Sequence, residues 1–171
     1  MKLHLGCGGV ILDGYINVDT RKLHPAVYVD DVITLSKLLK SDVIRYNTIS
    51  EILAYHVIEH LPRPNSRVPG VCSALYTWNR VLKIGGKLIL ECPDFDALID
   101  LVKKNPKYKD NLFGLQRFPG DAHLWGYTIE ELSGLLEQYG FTVIERGPGT
   151  DYHAKMEPCI RVVGVKNDTL A

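Results

Sequence analysis

The sequence predicts an α/β protein in which helices cover both faces of a mostly parallel sheet. Two observations predict this class. Short apolar segments alternate along the chain with segments whose apolar residues recur at helical spacing. Glycine, proline or acidic residues follow most of the apolar segments, as they do where buried strands end. The 171 residues contain no internal repeat and no linker-like stretch, so we expect a single domain, 1–171.

The first half of the chain predicts four strands and one short helix. The strands are the apolar segments at residues 2–5, 15–18, 26–29 and 49–55, and the helix covers 33–39. In a parallel sheet, ligands bind at the edge formed by the carboxyl ends of the strands. That edge carries the glycines at 6–9 and the polar residues that end the next strands, which are Asp19, Asp30, Asp31, Tyr55 and His56.

The second half predicts three helices and three strands after a loop marked by Pro62, Pro64 and Pro69. A glycine stop at 85–86 indicates the end of the first of these helices, and Thr128 begins a capping box with Glu131. The helices are expected at 69–82, 95–104 and 128–139, and the strands at 87–92, 141–146 and 160–165.

Composition excludes several classes of function. Twenty basic residues balance twenty acidic ones, so the chain has no charge excess suited to a long nucleic acid. The four cysteines form no CxxC pair, which argues against a zinc or iron–sulfur site. No apolar run approaches the roughly 20 residues that span a membrane, and no signal-peptide pattern is present. We therefore expect a cytoplasmic protein without a membrane or nucleic-acid partner.

The segment LHLGCGGVILDGYINVD at 3–19 is typical of a nucleotide-binding turn, but of an unusual kind. No Gly-Lys-Ser/Thr follows the glycines, so it is not a phosphate-binding P-loop. Gly6 and Gly8 fit the dinucleotide pattern, but Ile11 stands where its third glycine belongs, and Asp19 comes too early for its acid. The short path from glycines to Asp19 suits an adenosine ligand whose ribose hydroxyls meet that carboxylate.

The sequence resembles the class I S-adenosylmethionine-dependent methyltransferases, most closely the small members that lack the first long helix. The matching segments are LHLGCGG at 3–9, GYINVD at 14–19, EILAYHVIEHL at 51–61, WNRVLKIGGKLILECPD at 78–94 and HLWGYTIEELSGLLEQYGF at 123–141. The resemblance implies a Rossmann-like sheet of seven strands, with the last strand antiparallel and inserted beside the fifth. It also implies S-adenosylmethionine as the cofactor.

The resemblance assigns cofactor-binding roles to residues at the strand ends. Gly6, Cys7 and Gly8 are expected beside the methionine part of the cofactor, and Asp19 at the ribose. Asp31 and Val32 are expected at the adenine, with Asp30 an almost equal candidate, and Tyr55 beside the methyl-bearing sulfur. One departure is His4, which stands where the family often has an acidic residue that helps to hold the cofactor's ammonium group.

Histidines are the candidates for acid–base chemistry, because a hydroxyl acceptor must lose a proton during methyl transfer. His56 ends a predicted strand at the level of the reacting groups, and we expect it to be the base or to position the acceptor. The alternative is a hydrogen-bonded strand-end histidine. His123, with Trp125 and Tyr127, is expected to form a wall over a small-molecule or sugar-type acceptor. A small hydrophobic cluster is the alternative there.

The sequence predicts no metal site. His56, Glu59 and His60 could lie close together on a helix, but their order differs from that of zinc proteases and no distant fourth ligand is evident. Two other functions stay open beside methyl transfer. One is an NAD-dependent oxidoreductase or epimerase on a similar sheet, and the other is a protein that binds S-adenosylmethionine without catalysis.

Overall fold

The structure, a computed structural model, describes residues 1–64 and 67–167. Within these residues the strands are β1 (Lys2–Leu5), β2 (Ile16–Asp19), β3 (Val27–Val29), β4 (Ile49–Tyr55), β5 (Leu82–Pro93), β6 (Phe141–Pro148) and β7 (Cys159–Lys166). The α-helices are α1 (Ser36–Lys40), α2 (Val71–Val81), α3 (Phe95–Lys104), α4 (Lys109–Phe113) and α5 (Ile129–Gln138). None of the described helices has the length and apolarity to cross a bilayer.

The strands form one seven-stranded sheet in the order β3-β2-β1-β4-β5-β7-β6. Neighbouring strands from β3 to β5 are parallel, and β7 runs antiparallel between β5 and β6. The predicted Rossmann-like sheet with an inserted antiparallel last strand is therefore confirmed. The bounds of β1, β4 and α3 coincide with those that the sequence predicts.

The largest difference from prediction lies between α2 and β5. The glycines at 85–86 were expected to stop a helix, but α2 ends at Val81 and β5 begins at once. Leu82 pairs with Ile49, and Lys87 is the next β5 residue to pair with β4, so the residues between them form a bulge within the strand. Gly85, at φ +76°, supplies the left-handed backbone that this bulge uses.

The main hydrophobic core lies between one face of the sheet and three helices. Leu38 of α1, Trp78 of α2 and Leu136 of α5 are buried against this face. The Nε1 of Trp78 donates a 2.8 Å hydrogen bond to the carbonyl oxygen of Val32, just after β3. Because Trp78 is fully buried, this bond ties α2 to the segment that leaves β3.

The β1–β2 connection packs on the other face of the sheet without forming a helix. Its residues Leu12 and Tyr15 cover a small cluster made of Leu53, Ile89 and Val163. This confirms that the path from the glycines to Asp19 has no room for a full helix. The short connection keeps the glycine turn directly beside the end of β2.

Four short segments escaped prediction because they lack a helical repeat of useful length. They are the helix α4 and the 3₁₀ helices Ile58–His60, Pro106–Tyr108 and Tyr152–Lys155. Two of them, Ile58–His60 and Tyr152–Lys155, bring side chains to the carboxyl edge of the sheet, where His60, Tyr152 and His153 line a cavity. The chemistry expected at this edge therefore depends partly on segments that periodicity does not reveal.

Candidate functional site

A cavity of about 540 Å³ opens at the carboxyl ends of β1, β2 and β4. Seven residues that the sequence predicted at a cofactor or reaction centre line it together: Gly6, Cys7, Gly8, Asp19, Asp31, Val32 and His56. They come from four separate segments of the chain, and the parallel sheet brings them to one place because it aligns the carboxyl ends of its strands.

Asp19 joins the end of β2 to the glycine turn. Its Oδ2 accepts a 2.9 Å hydrogen bond from the backbone N–H of Gly8, and its Oδ1 accepts one of 2.8 Å from Arg21. The N–H of Cys7 donates to the carbonyl of Val18 at 3.1 Å. Only 6 % of Asp19 is exposed, so the carboxylate is held in one orientation at the cavity wall.

Cys7 lies within this turn, and its side chain is buried in the protein. The residue is buried, and burial raises the pKa of its thiol to about 11, with a further contribution from Asp19. The thiol is therefore protonated at neutral pH and is a poor nucleophile.

The structure separates the two aspartates that follow β3. Asp30 is buried, and its carboxylate accepts hydrogen bonds from the N–H groups of Asp31, Lys37 and Leu38, which fixes the start of α1. Asp31 is exposed and lines the cavity, and its side chain holds the N–H of Ile33 at 2.8 Å. Of the two, Asp31 is the one available to a ligand.

His56 lies at the end of β4 with a left-handed backbone, at φ +52°. Its Nδ1 is 3.1 Å from Oε1 of Glu59, and its Nε2 is 3.5 Å from the sulfur of Cys159. Burial disfavours the charged imidazole, but the contacts with Cys159 and Glu59 outweigh it and raise the pKa of His56 to about 10. Both ring nitrogens of His56 therefore face protein partners.

Glu59 is a buried carboxylate, with 2 % of the residue exposed. Burial favours its neutral form, yet His56 outweighs that effect and lowers the pKa of Glu59. The contact with His56 is close but is not aligned as a hydrogen bond, and neither carboxylate oxygen has a hydrogen-bond partner among the described residues.

His153, which sequence reasoning did not select, stacks on His56 with ring centroids 3.8 Å apart. Its Nδ1 lies 2.8 Å from one carboxylate oxygen of Asp151 and 3.1 Å from the other. His153 and the neighbouring Tyr152 line the cavity. The Asp-x-His pattern in the loop between the last two strands was the available signal, but only the position of β7 beside β5 brings it near His56.

The side of the cavity away from the sheet is formed by residues 117–121, which the sequence also did not single out. The guanidinium of Arg21 lies 3.6 Å from the centre of the Phe118 ring, a cation–π contact. Asp121 accepts hydrogen bonds from the backbone and side chain of Arg117. These contacts hold the segment against the end of β2.

His123 and Trp125 lie in a second, largely apolar cavity of about 550 Å³. Its wall also contains Phe95 and Phe113. His60 connects the two regions, because it lines the first cavity and meets the ring of His123 edge-on at 4.8 Å. The expected wall over an acceptor therefore stands beside the first cavity rather than over it.

Two of the expected site residues lie away from these cavities. Tyr127, expected at the acceptor wall, is 1 % exposed and belongs to the main core, because its backbone bridges to Asp94 and its ring turns inward. Tyr55 points to the opposite face of the sheet, where Nη1 of Arg161 lies 3.4 Å from its hydroxyl and the ring of His4 packs on it. Side chains alternate along a strand, so Tyr55 faces the same side of the sheet as Leu53, away from the cavity.

Several solved structures share this arrangement of strands and helices. An S-adenosylmethionine-dependent methyltransferase from Methanosarcina mazei superposes with a TM-score of 0.68 at 19% identity, covering 97% of this chain and 92% of that one. One from Archaeoglobus fulgidus gives 0.63 at 16%, covering 96% and 85%. A Thermotoga maritima enzyme, described as a possible histamine N-methyltransferase, gives 0.64 at 17%, covering 97% and 81%.

The chain has the class I methyltransferase fold. No protein-family model and no curated protein matches the sequence, so this assignment comes from the three-dimensional structure. Within this fold, the first cavity brings together the glycine turn, Asp19 and the stacked rings of His56 and His153.

Proposed function

We propose that this protein binds S-adenosylmethionine and transfers its methyl group to a hydroxyl of a small molecule or sugar. One observation carries the cofactor assignment. The N–H of Gly8 and the carboxylate of Asp19 meet at 2.9 Å on the wall of a cavity of about 540 Å³. A ribose that lies across the ends of β1 and β2 finds a buried, oriented carboxylate there for its two hydroxyls.

Other residues on the same wall of the cavity would supply the remaining contacts with the cofactor. The turn formed by Gly6, Cys7 and Gly8 brings backbone close to the methionine part, and Asp31 and Val32 flank the adenine. The methyl-bearing sulfur then faces the end of β4, where His56 and His153 lie. Methyl transfer is an in-line displacement, so a rigid cavity that aligns acceptor, methyl and sulfur supplies much of the rate enhancement.

A hydroxyl acceptor also requires a base, and the stacked histidines supply two candidates. His56, the residue expected from sequence, has protein partners at both ring nitrogens. His153 uses Nδ1 on Asp151, which leaves its Nε2 to accept a proton. We therefore assign the base to His153, oriented by Asp151, and the positioning of the acceptor to His56.

Calorimetric titration with S-adenosylmethionine, S-adenosylhomocysteine and NAD tests the cofactor assignment. We expect the first two to bind, and Asp19→Asn to weaken them roughly 10- to 100-fold, because it removes a charge-assisted acceptor for the ribose. Asp13→Asn, an exposed aspartate on the same connection, is the matched control and keeps wild-type affinity. Binding of NAD but not of the other two would overturn the proposal in favour of an oxidoreductase or epimerase.

Catalysis is tested by screening molecules with hydroxyl groups as acceptors and measuring the S-adenosylhomocysteine that forms. With an accepted substrate, we expect His153→Asn to lower kcat by a factor of about 10² to 10⁴ while cofactor affinity stays unchanged. His24→Asn, on an exposed loop, is the control. Tight cofactor binding with no turnover of any acceptor would favour the alternative of a non-catalytic binding protein.

A further inference from the structure

Glu59 has an environment that its place in the fold does not explain. The carboxylate is buried, its Oε1 lies 3.1 Å from Nδ1 of His56, and neither oxygen accepts a hydrogen bond among the described residues. A buried carboxylate without such partners is costly, since its desolvation is not compensated. A close cation is the usual compensation, and besides His56 two further imidazole rings lie near this carboxylate.

His60 and His123 both lie close to Glu59, and their rings meet edge-on at 4.8 Å. One nitrogen of each ring and one oxygen of the carboxylate all lie within 4.8 Å of one another. Metal–ligand bonds of about 2.0–2.2 Å place ligand atoms roughly 3–4 Å apart, so closure requires movements on the order of 1 Å or less. The set contains two imidazoles and one carboxylate, a combination that suits divalent transition metals.

The ring of His60 is held in a way that is common among metal ligands. Nδ1 of His60 is 3.1 Å from the carbonyl oxygen of Ala122, and a hydrogen bond donated there leaves Nε2 with a free lone pair. Metal-binding histidines usually direct their second nitrogen to a backbone carbonyl or a carboxylate in this way. The ring of His123 has no hydrogen-bond partner in the part of the chain that the structure describes.

The backbone fixes His123 opposite Glu59. The carbonyl of Glu59 accepts hydrogen bonds from the N–H groups of Leu124 at 2.7 Å and Trp125 at 3.2 Å. The N–H of His123 donates to the carbonyl of Phe113 at 3.0 Å. A small cavity of about 10 Å³, close to the volume that one water or ion occupies, is lined by Glu59 and His123 and not by His60.

We propose that Glu59, His60 and His123 bind a divalent transition-metal ion beside the first cavity. His56, which the sequence analysis grouped with Glu59 and His60, is not a member of this set, and His123, distant along the chain, takes its place. The proposal is independent of methyl transfer, because it rests on the three side chains alone. His60 also lines the first cavity, so an ion held here lies next to the space in which a cofactor and acceptor would meet.

Two other groups of side chains near His56 have metal-like spacing, but their carboxylates are already engaged. One group contains Asp151, which holds the backbone and ring of His153. The other contains Glu157, which accepts a 2.9 Å hydrogen bond from Asn111. Among the three groups, Glu59 is the carboxylate whose two oxygens both accept no hydrogen bond from the described residues, and this selects its group.

Titration of chelator-treated protein with Zn²⁺, Mn²⁺ and Mg²⁺ by calorimetry tests the site. We expect one Zn²⁺ per chain to bind with micromolar or tighter affinity, Mn²⁺ to bind more weakly, and Mg²⁺ not to compete, because Mg²⁺ prefers oxygen ligands. Absence of saturable Zn²⁺ binding, or Mg²⁺ binding as tight as Zn²⁺, would overturn the proposal. A buried water beside Glu59 would then be the better explanation of its surroundings.

Variants locate the ion. Glu59→Gln and His123→Asn should each weaken Zn²⁺ binding at least tenfold and abolish the rise in Tm that Zn²⁺ gives the wild type. Cys159→Ser and His153→Asn, which break the other two groups, should keep wild-type affinity. Loss of Zn²⁺ binding in Cys159→Ser or His153→Asn, with binding kept in Glu59→Gln and His123→Asn, would overturn the assignment. Circular dichroism confirms that each variant is folded.

Substitution with Co²⁺ gives a readout that does not depend on any variant folding. Ligands that are only nitrogen and oxygen give weak visible bands without a sulfur-to-metal charge-transfer band. A charge-transfer band would place the ion at Cys159 and overturn the proposal. Cofactor binding is measured separately, so failure of the metal site and failure of the methyltransferase proposal are distinguishable.

Discussion

At the scale of single residues, Asp121 shows how one carboxylate holds a wall of the cavity. It accepts hydrogen bonds from the backbone N–H of Arg117 at 2.9 Å and from its guanidinium at 3.0 and 3.1 Å. The hydrogen bond from the Arg117 side chain is the main reason that the pKa of Asp121 lies below its usual range. A lowered carboxyl pKa adds stability above the pKa of the unfolded chain, and this contribution is lost as pH falls through the folded pKa.

Asp121→Asn should therefore lower the urea midpoint at pH 7, while at about pH 3 the difference between the variant and the wild type should be smaller. The difference shrinks because a growing fraction of the wild-type carboxyl is protonated as pH falls toward its lowered folded pKa. Urea unfolding at the two pH values checks this, with Asp13→Asn as a control that keeps the wild-type midpoint at both. A difference of equal size at pH 7 and pH 3 would assign the effect to packing rather than to charge.

At the scale of elements, the turn after β1 contains three glycines with different constraints. Gly6 has φ +62°, and a Cβ there would overlap with the side chain of Val57. Gly8 has φ +54° but open space around it, and Gly9 has open space and no left-handed backbone. Substitutions at the three positions therefore distinguish two constraints. One is a left-handed backbone, at Gly6 and Gly8, and the other is the lack of space for a Cβ, at Gly6.

We expect Gly6→Ala to destabilise the protein by about 3 kcal/mol, since it adds a steric overlap to backbone strain. Gly8→Ala carries the strain alone and should cost about 1 kcal/mol. Gly9→Ala should stay within about 0.5 kcal/mol of wild type. Urea unfolding of the three variants gives the order, and equal losses at Gly6 and Gly8 would contradict the role assigned to Val57.

The start of α5 is set by local sequence, as predicted. Thr128 accepts a hydrogen bond from the N–H of Glu131 at 3.2 Å, and the Glu131 carboxylate accepts one from the N–H of Thr128 at 3.1 Å. Thr128→Ala removes one half of this capping box and should cost about 1 kcal/mol in free energy of unfolding. Glu130→Ala, in the same turn but outside the box, is the control. Equal losses in the two variants would show that the cap itself contributes little.

Elements whose bounds are set by residues close in the sequence were thus predictable. Elements whose bounds are set by pairing within the assembled sheet were not. The capping box, β1 and β4 follow from local pattern. The bulge at the start of β5 does not, because the same glycines that form it are also good helix stops, and only the partner strand β4 decides between the two.

At the scale of the whole molecule, the candidate site also contains both residues that the sequence could predict and residues that it could not. Gly6, Asp19 and His56 were predictable because each follows its own strand, and a parallel sheet brings strand ends together. His153 and Asp121 were not, because their loops reach the cavity only through the order in which the sheet and its crossing segments assemble.

Glu91, fully buried in β5, is the point at which the centre of the sheet holds the loop that carries His153. Its carboxylate accepts hydrogen bonds from the N–H groups of Thr150 at 2.9 Å and Asp151 at 3.0 Å, and from the Thr150 hydroxyl at 2.7 Å. The guanidinium of Arg161 in β7 pairs with it at 2.6 Å. One side chain therefore joins two strands to the loop beside the cavity.

Glu91→Gln should destabilise the protein by about 3 kcal/mol and raise amide hydrogen exchange at residues 150–155, because an amide offers one acceptor oxygen where the carboxylate offers two. It also leaves the half-buried Arg161 with only the exposed Glu145 as an ionic partner among the described residues. Glu145→Gln is the matched control, since it removes the exposed partner of the same arginine and should change stability by less than about 1 kcal/mol. Urea unfolding and hydrogen exchange measure both effects, and equal exchange at 150–155 in the two variants would show that the loop is held by something other than Glu91.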